Sequence, residues 1–430
     1  MKFVVIGITD SPKPFFPPHE LDIISRGKVF SGGRRHHELV GHLLPDGATW
    51  IDITTPLSLV FDQYKTLGPM HDIVVFASGD PLFFGFANTI RREMGDAELT
   101  VFPSFNSLQL LAHRLLMPYH DMRIVSLTGR PWPELDRALI EHSAKIGVLT
   151  DREHTPAAIA RRMLDYGFDG YTMHIGEHLG NPDQERVTTL TLEEACQCSF
   201  SSPNCLIISA ERPLPARRYG IDDREFNLLD NRTKMITKMP IRLLTLQALE
   251  LPRRHVFWDI GFCTGSVSIE ARLLFPHLHV VAFEVRPECE AIIHANMRRH
   301  GAPGIKVVMG DFRSVCCDFR SVCCDVRSVC CDVIATNGPE HTGGGFGPAP
   351  DAVFIGGHGG HLREIMELVA GVLAPGGVVV MNSVVAPRVT TDSHQLWDEA
   401  CQALGLQQEP PLHLQLNDHH PITILKCRKE

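Results

Sequence analysis

The stretch "VFWDIGFCTGSVSIE", from Val256 to Glu270, puts an aspartate at the end of an apolar run, then two glycines, then a helix-like pattern. Glycine at 261 and 265 permits a tight turn and a close backbone approach to a ligand. Nineteen residues past Gly265, Glu284 closes the next apolar run, "HVVAFEV", where a carboxylate can accept both hydroxyls of a ribose. A third run, "VVMGD", ends in Asp311. Loop, strand-end acid and second strand-end acid together indicate a nucleoside-type cofactor. The loop reads D-x-G-x-x-x-G, with Cys263 where a middle glycine is usual. A pyrophosphate needs that bare backbone and S-adenosylmethionine has none, so the pattern favours S-adenosylmethionine over NAD. The expected contacts are Gly261, Phe262, Cys263, Thr264, Gly265, Glu284 and Asp311.

A louder signal is "FRSVCCDFRSVCCDVRSVCCD", Phe312 to Asp332, which holds six of the 13 cysteines. Cys-Cys pairs recurring every seven residues do not give the separated ligands of a zinc site. Phe312, Val315, Phe319, Val322, Val326 and Val329 fall at a and d of a heptad. Any seven-residue copy with two apolar positions generates that register automatically, and Val and Cys are poor helix formers. Tandem duplication within a loop is the favoured reading over a packed helix or a soft-metal site. Loop length costs little entropy. Other constellations fail on spacing. His37 and His42 in "HHELVGH" are five apart, not the four that put two rings on one helix face. "CQC" at Cys196 to Cys198 lacks a second pair. "GGHGGH" at Gly356 to His361 has metal-friendly histidines, and its reading as a strand-to-helix glycine loop is what the family resemblance given below implies.

These residues need a scaffold, and the chain supplies two. In the first, "KFVVIG", "DIVVFASG", "ELTVFPS", "MRIVSLTG" and "KIGVLTD" are β-rich runs separated by helical patterns such as "SLQLLAHRLL" and "TPAAIARRMLDYG", with "NCLIISAERP" as a last strand. That alternation predicts an α/β unit with a largely parallel sheet. The polar stretch 213–233, without a clear period, reads as a linker. The pattern then restarts and predicts a second α/β domain with a Rossmann-like order of elements. The expected division is 1–212, linker 213–233 and 234–430, with an insertion at about 312–349.

Composition sets the outer bounds. With 44% hydrophobic and 21% charged residues, the 430-residue chain has ample core material. A formal net charge of -9 argues against a nucleic-acid binder. There is no secretory h-region near the start and no run approaching the roughly 18 apolar residues of a membrane span. The expectation is a cytoplasmic protein with reduced thiols.

The segments "ITKMPIRLLTLQALEL", "WDIGFCTGSVSIEARLLFPHLHVVAFEV", "ANMRRHG", "DAVFIGGHGGHLREIM" and "LAPGGVVVMNSV" resemble the precorrin C15-methyltransferase (decarboxylating) domain, over nearly all of Thr237 to Val384 outside the repeat. The resemblance implies a class I methyltransferase fold with Thr237, Gly261 to Gly265, Glu284 and Phe312 around S-adenosylmethionine. Phe312 is bulky where the family usually has Ala. "VVIG", "GGRRHHELV", "VVFASGDPLFFG", "PSFNSLQLLAHRL" and "RIVSLTGR" resemble the precorrin C5-methyltransferase of the tetrapyrrole methylase (class III methyltransferase) group. There, Ser78, Gly79, Asp80 and Pro81 form the turn at the cofactor's amino-acid end. The family's glycine-rich first loop keeps only Gly7, and its usual His is Thr128. Together the halves resemble the fused precorrin-6Y C5,15-methyltransferase (decarboxylating) family of corrin synthesis. This implies a carboxylate-rich tetrapyrrole substrate and homo-oligomers. Arginines should then line the sites, with Arg34, Arg35, Arg130 and Arg242 as candidates. Lys238 and Arg242, at i and i+4 of one helix face, are the residues expected to act on the substrate. The rivals are a methyltransferase for another small molecule and a protein that binds S-adenosylmethionine without turnover.

Overall fold

The computed structural model describes residues 1–214, 219–316, 348–384, 393–416 and 421–430. Most of the cysteine repeat lies outside the described residues. The chain divides into two compact units. One comprises Met1–Gly129, Ser143–Arg162 and Asp169–Pro213, and the other comprises Leu214–Glu430 with Arg130–His142 and Met163–Phe168.

The first unit holds two five-stranded sheets. In one, β1 (Lys2–Ile8), β2 (Val29–Gly32), β3 (Thr49–Asp52), β4 (Ile73–Ser78) and β5 (Glu98–Phe102) run parallel in the order β3-β2-β4-β1-β5. β1 and β4 are almost wholly buried apolar runs because helices cover both faces of a parallel sheet. The other sheet has the order β6-β7-β10-β8-β9, built from β6 (Arg123–Ser126), β7 (Lys145–Leu149), β8 (Tyr171–Glu177), β9 (Arg186–Thr191) and β10 (Asn204–Ala210). Only β6 and β7 pair in parallel; β7-β10, β10-β8 and β8-β9 are antiparallel. The expectation of a largely parallel sheet therefore holds for the first sheet and not the second. The short connection between β8 and β9 cannot carry a crossover helix, so those strands close as a hairpin.

In the second unit, β11 (Val256–Ile260), β12 (His279–Glu284), β13 (Ile305–Met309), β14 (Ala352–Ile355) and β15 (Val378–Val384) form the parallel order β13-β12-β11-β14-β15. β18 (Ile422–Arg428) adds antiparallel to β15 and carries the short β16 (Gln407–Gln408) and β17 (Leu412–Leu414). Trp258, Phe283 and Phe312 pack edge to face in its core, at centroid separations of 5.1 to 6.0 Å.

The stretch expected to be a linker is packed from Ile221 onward. The Asn227 N–H donates to Asn296 Oδ1 at 2.8 Å, and Asn296 Nδ2 donates back to the Asn227 carbonyl at 3.1 Å. Phe226 is buried under the Arg242 guanidinium, 5.0 Å from it. These hydrogen bonds pair the segment's own backbone with a side chain far along the chain, which its polar composition does not reveal.

Candidate functional site

The principal site is a cavity of about 1020 Å³ in the second unit, at the C-terminal ends of β11, β12 and β14. This is the edge where open α/β sheets bind ligands. The turn after β11 is tightly drawn. Gly261 and Phe262 donate their N–H groups to the Phe283 carbonyl, and Gly265 donates to Phe262. Gly261 has φ +81, and a Cβ there would lie 2.8 Å from the Gly357 nitrogen. Its bareness lets the "GGHGGH" loop sit directly on the turn, where Gly356 N–H donates to the Ile260 carbonyl at 2.8 Å. Cys263, at φ 51, holds a left-handed conformation without being glycine. The Thr264 carbonyl accepts from Asn296 Nδ2. Gly265 does not line the cavity; its missing side chain makes room for Ile293, which would stand 2.4 Å from a Cβ at that position.

Two carboxylates flank the turn. Asp259 is 1% exposed, and its Oδ2 accepts from Ser268 Oγ at 2.5 Å. Its Oδ1 has no hydrogen-bond partner among the described residues, although Asp259 lines the cavity. Burial, aided by the nearby Glu284 charge, pushes this carboxyl up to about 7 against the pull of the Ser268 hydrogen bonds. Glu284 is arranged differently. Its Oε2 accepts from Cys263 N–H and Arg286 Nη2, and its Oε1 from Val285 N–H, Arg286 N–H and Arg286 Nε. Burial alone would raise this carboxyl, but the Arg286 guanidinium and the backbone donors hold it below the usual range. Five donors fill its acceptor capacity. A diol therefore reaches Glu284 only as the half-buried Arg286 side chain gives way.

Thr237, Lys238, Phe262, Cys263, Thr264, Asp311 and Phe312 also line the cavity, as expected from the sequence. Phe262 and Phe312 form buried apolar wall. Asp311 is held by Arg313, which also reaches Glu364 and His361. Lys238 Nζ donates to the Thr233 carbonyl at 2.8 Å and lies 3.5 Å from Asp223.

Arg242 does not fit its expected role. It is fully buried, with Nε on Glu270 at 2.8 Å, Nη1 on the Thr237 carbonyl at 2.8 Å and Nη2 on the Ile221 carbonyl. Helix Met239–Ala248 turns that position toward Glu270, away from the cavity that Lys238 and Ile241 line. Sequence reasoning also missed Asp259, read only as the end of a strand, although it opens the loop motif. It missed Lys234 and His358, both on the cavity wall, because lone cations and a glycine-loop histidine carry no distinctive spacing.

In the first unit the predicted turn is assembled at the ends of β1 and β4. Gly79 has φ +59, and its N–H donates to the Ile8 carbonyl at 2.7 Å. Asp80 Oδ1 accepts from Leu82 N–H at 2.9 Å, Pro81 is buried, and Ser78 is exposed. Gly7 faces this turn so closely that a Cβ would stand 1.9 Å from the Gly79 carbonyl oxygen. Gly7→Ala must push two backbone segments apart, an overpacking cost of about 1–3 kcal/mol or more. The expected result is a lower unfolding midpoint for the first unit; an unchanged midpoint in thermal melts would show that the turn yields freely.

A model of the Tetrapyrrole (Corrin/Porphyrin) Methylases matches residues 61–196, and one of the Precorrin methyltransferase domain matches residues 230–320. A Sinorhizobium sp. protein named precorrin-6Y C(5,15)-methyltransferase [decarboxylating] is 31% identical, over 90% of this chain and 84% of its own length. The chain belongs to this family. Its halves also match separate proteins. The cobalt-precorrin-6B C(15)-methyltransferase (decarboxylating) of Salmonella typhi is 30% identical, over 45% of this chain and 90% of its own. The cobalt-precorrin-7 C(5)-methyltransferase of Salmonella typhimurium is 27% identical, over 48% of this chain and 98% of its own. The two-unit α/β architecture thus follows the family's composite organisation.

Proposed function

We propose that this chain methylates a precorrin at C5 and C15, using S-adenosylmethionine in each unit, and removes the carboxyl of the ring-C acetate. The observation that carries the reading is the convergence of Asp259, Glu284 and the glycine turn on one cavity of the second unit. The residues fit the cofactor. An unpartnered, buried Asp259 oxygen suits an ammonium, Glu284 can take ribose hydroxyls once Arg286 gives way, and Phe262 and Phe312 supply apolar wall. In the first unit, Gly7 and the Ser78–Pro81 turn would hold the second copy.

When bound, the cofactor supplies an activated methyl group on a sulfonium. Methyl transfer to an electron-rich ring carbon is an in-line displacement that needs no strong base. The chain's task is to hold donor and acceptor about 3–3.5 Å apart and exclude water. Lys238 lines the cavity partly exposed, and Lys234 lines it with no partner among the described residues, so both support contact with substrate carboxylates. Burial pushes the His358 imidazole below its ordinary range, with His361 adding to that effect, and its Nδ1 accepts from Gly360 N–H at 3.2 Å. In decarboxylation the bond to the carboxyl breaks, carbon dioxide leaves, the conjugated ring takes the electron pair, and the exocyclic carbon then takes a proton from solvent to become a methyl group, while the protein orients the acetate.

All eight described cysteines are free, which supports a reducing, cytoplasmic setting. No helix among the described residues is long and apolar enough to cross a membrane. Homo-oligomerisation rests on the resemblance alone, and sedimentation of the purified chain would check it. The deciding test is a mass spectrum of a precorrin-6Y-type tetrapyrrole, and of its cobalt form, after incubation with the chain and S-adenosylmethionine. Two added methyl groups with loss of one carbon dioxide are expected. An unchanged tetrapyrrole, with cofactor binding demonstrated, would favour another acceptor or a binding protein without turnover.

A further inference from the structure

A polar cluster in the first unit surrounds Ser78, the first residue of the turn assigned above to the cofactor, and fixes Arg35 beside it. His36 and Arg35 follow the "GG" turn after β2, Ser78 ends β4, Asp10 lies in the loop after β1, and His178 follows β8. The Gly33 N–H donates to His36 Nδ1 at 3.2 Å, so that nitrogen is an acceptor and Nε2 carries the hydrogen. His36 Nε2 then donates to Ser78 Oγ at 2.9 Å. Burial, with the Arg35 charge adding to it, lowers His36 to about 4, which keeps this tautomer neutral at physiological pH. Arg35 Nη2 donates to the same Oγ, also at 2.9 Å.

Two donors fill the lone pairs of the Ser78 oxygen, so its own hydrogen must point to a third group. Ser78 is an exposed residue, so water or a ligand can be that group. Arg35 is fixed from behind, with Nη1 3.0 Å from Asp10 Oδ1, while Asp10 Oδ2 is 3.0 Å from His178 Nδ1. Arg35 keeps about a third of its side chain open, at 37% exposure, and three of its five N–H donors have no partner among the described residues. Arg34 contrasts with it, 93% exposed and, among the described residues, paired only with Glu38. A serine hydroxyl with its hydrogen left to give and a fixed, partly exposed guanidinium, side by side at the Ser78–Pro81 turn, match the paired acceptors of a carboxylate.

We propose that Arg35 and Ser78 form a carboxylate seat in the first unit, with His36 and Asp10 as positioning residues. The seat rests on the proposed tetrapyrrole chemistry for its natural occupant, an acid side chain of the ring. On chemistry alone, the carboxylate of the methyl donor's amino-acid end would fit as well. The Asp10 charge offsets part of the Arg35 attraction, so the effect sits at the low end for a charge-assisted contact, roughly tenfold in affinity.

The test uses the intact chain and its Arg35→Ala, Arg35→Lys and Ser78→Ala variants, in binding and in turnover. Equilibrium dialysis measures binding of the tetrapyrrole and of S-adenosylmethionine separately. Mass spectrometry follows C5 methylation, with C15 methylation and carbon dioxide loss on the same chain as the internal standard. Arg35→Ala should weaken one class of tetrapyrrole sites about tenfold and raise the tetrapyrrole KM for C5 methylation by a similar factor, with kcat far less affected. Arg35→Lys should recover part of the loss, because the charge remains and the fork does not. A rise confined to S-adenosylmethionine would keep the carboxylate seat and assign it to the methyl donor. Unchanged affinity for both ligands in Arg35→Ala and Ser78→Ala overturns the seat. Dialysis separates these outcomes even if the wild-type chain shows no C5 methylation, a result that would count against the functional reading instead.

Discussion

Arg242→Ala should destabilise the second unit by about 3–5 kcal/mol, the usual cost of stranding one partner of a buried ion pair. Arg242 is fully buried and the Glu270 side chain is 2% exposed, so neither charge can turn to water when the other is lost. The same guanidinium ties down the Thr237 and Ile221 carbonyls and Asp223, so its removal also loosens the segment that leads into the cavity. Urea unfolding followed by tryptophan fluorescence would report the change, because Trp258 and Trp397 are both buried in this unit. Arg242→Lys should fall between wild type and alanine, since it keeps the charge and loses the fork. If alanine leaves the midpoint in place and raises only the substrate KM, the network is dispensable and Arg242 is a substrate contact after all.

Binding of S-adenosylmethionine to the second unit should weaken as pH falls through neutrality, and Asp259→Asn should abolish that slope. Burial pushes the Asp259 carboxyl up to about 7, and its free Oδ1 is suited to an ammonium only when ionised. Below about pH 7 a proton must leave before the cation can pair, so affinity falls by up to about tenfold per pH unit. Above neutrality the carboxylate is already formed and this contribution is flat. The stability sign follows from the same raised value. The group's contribution is fully present below the unfolded carboxyl's range and is lost as pH rises through about 7. Asp259→Asn should therefore bind the cofactor roughly tenfold more weakly at about pH 8 and stabilise the ligand-free unit there. Calorimetric titration at several pH values decides the matter, and equal slopes for wild type and Asp259→Asn would remove Asp259 from the ligand site.

Much of this arrangement is legible in the sequence because the information is local. The β11 turn is written in Gly261 and in the apolar runs on either side, and Glu284 is placed by the end of the next strand. Gly7 and Ser78–Pro81 likewise sit at strand ends that the β-rich runs mark. What the sequence hides is long-range. Lys238 and Arg242 share a spacing, but only the packing of helix Ser266–Leu274, which carries Glu270, decides that Arg242 points inward. The 213–233 stretch looks like a linker because its partners, Asn296 and Glu270, lie far along the chain. The mixed second sheet of the first unit is invisible for the same reason, since strand direction depends on which neighbour a run finds. Arg286, which fills the Glu284 carboxylate, shows that a correctly placed acid need not be a vacant one.

The covalent continuity of the two units has a consequence for the cell. Relatives of each half exist as separate proteins, whose amounts can be set independently. Here every translated chain carries one copy of each unit, so their numbers are equal at any level of expression. No promoter, messenger stability or differential degradation of whole chains can change that ratio. The balance between the two sites is then set by the rate of each unit and no longer by its amount.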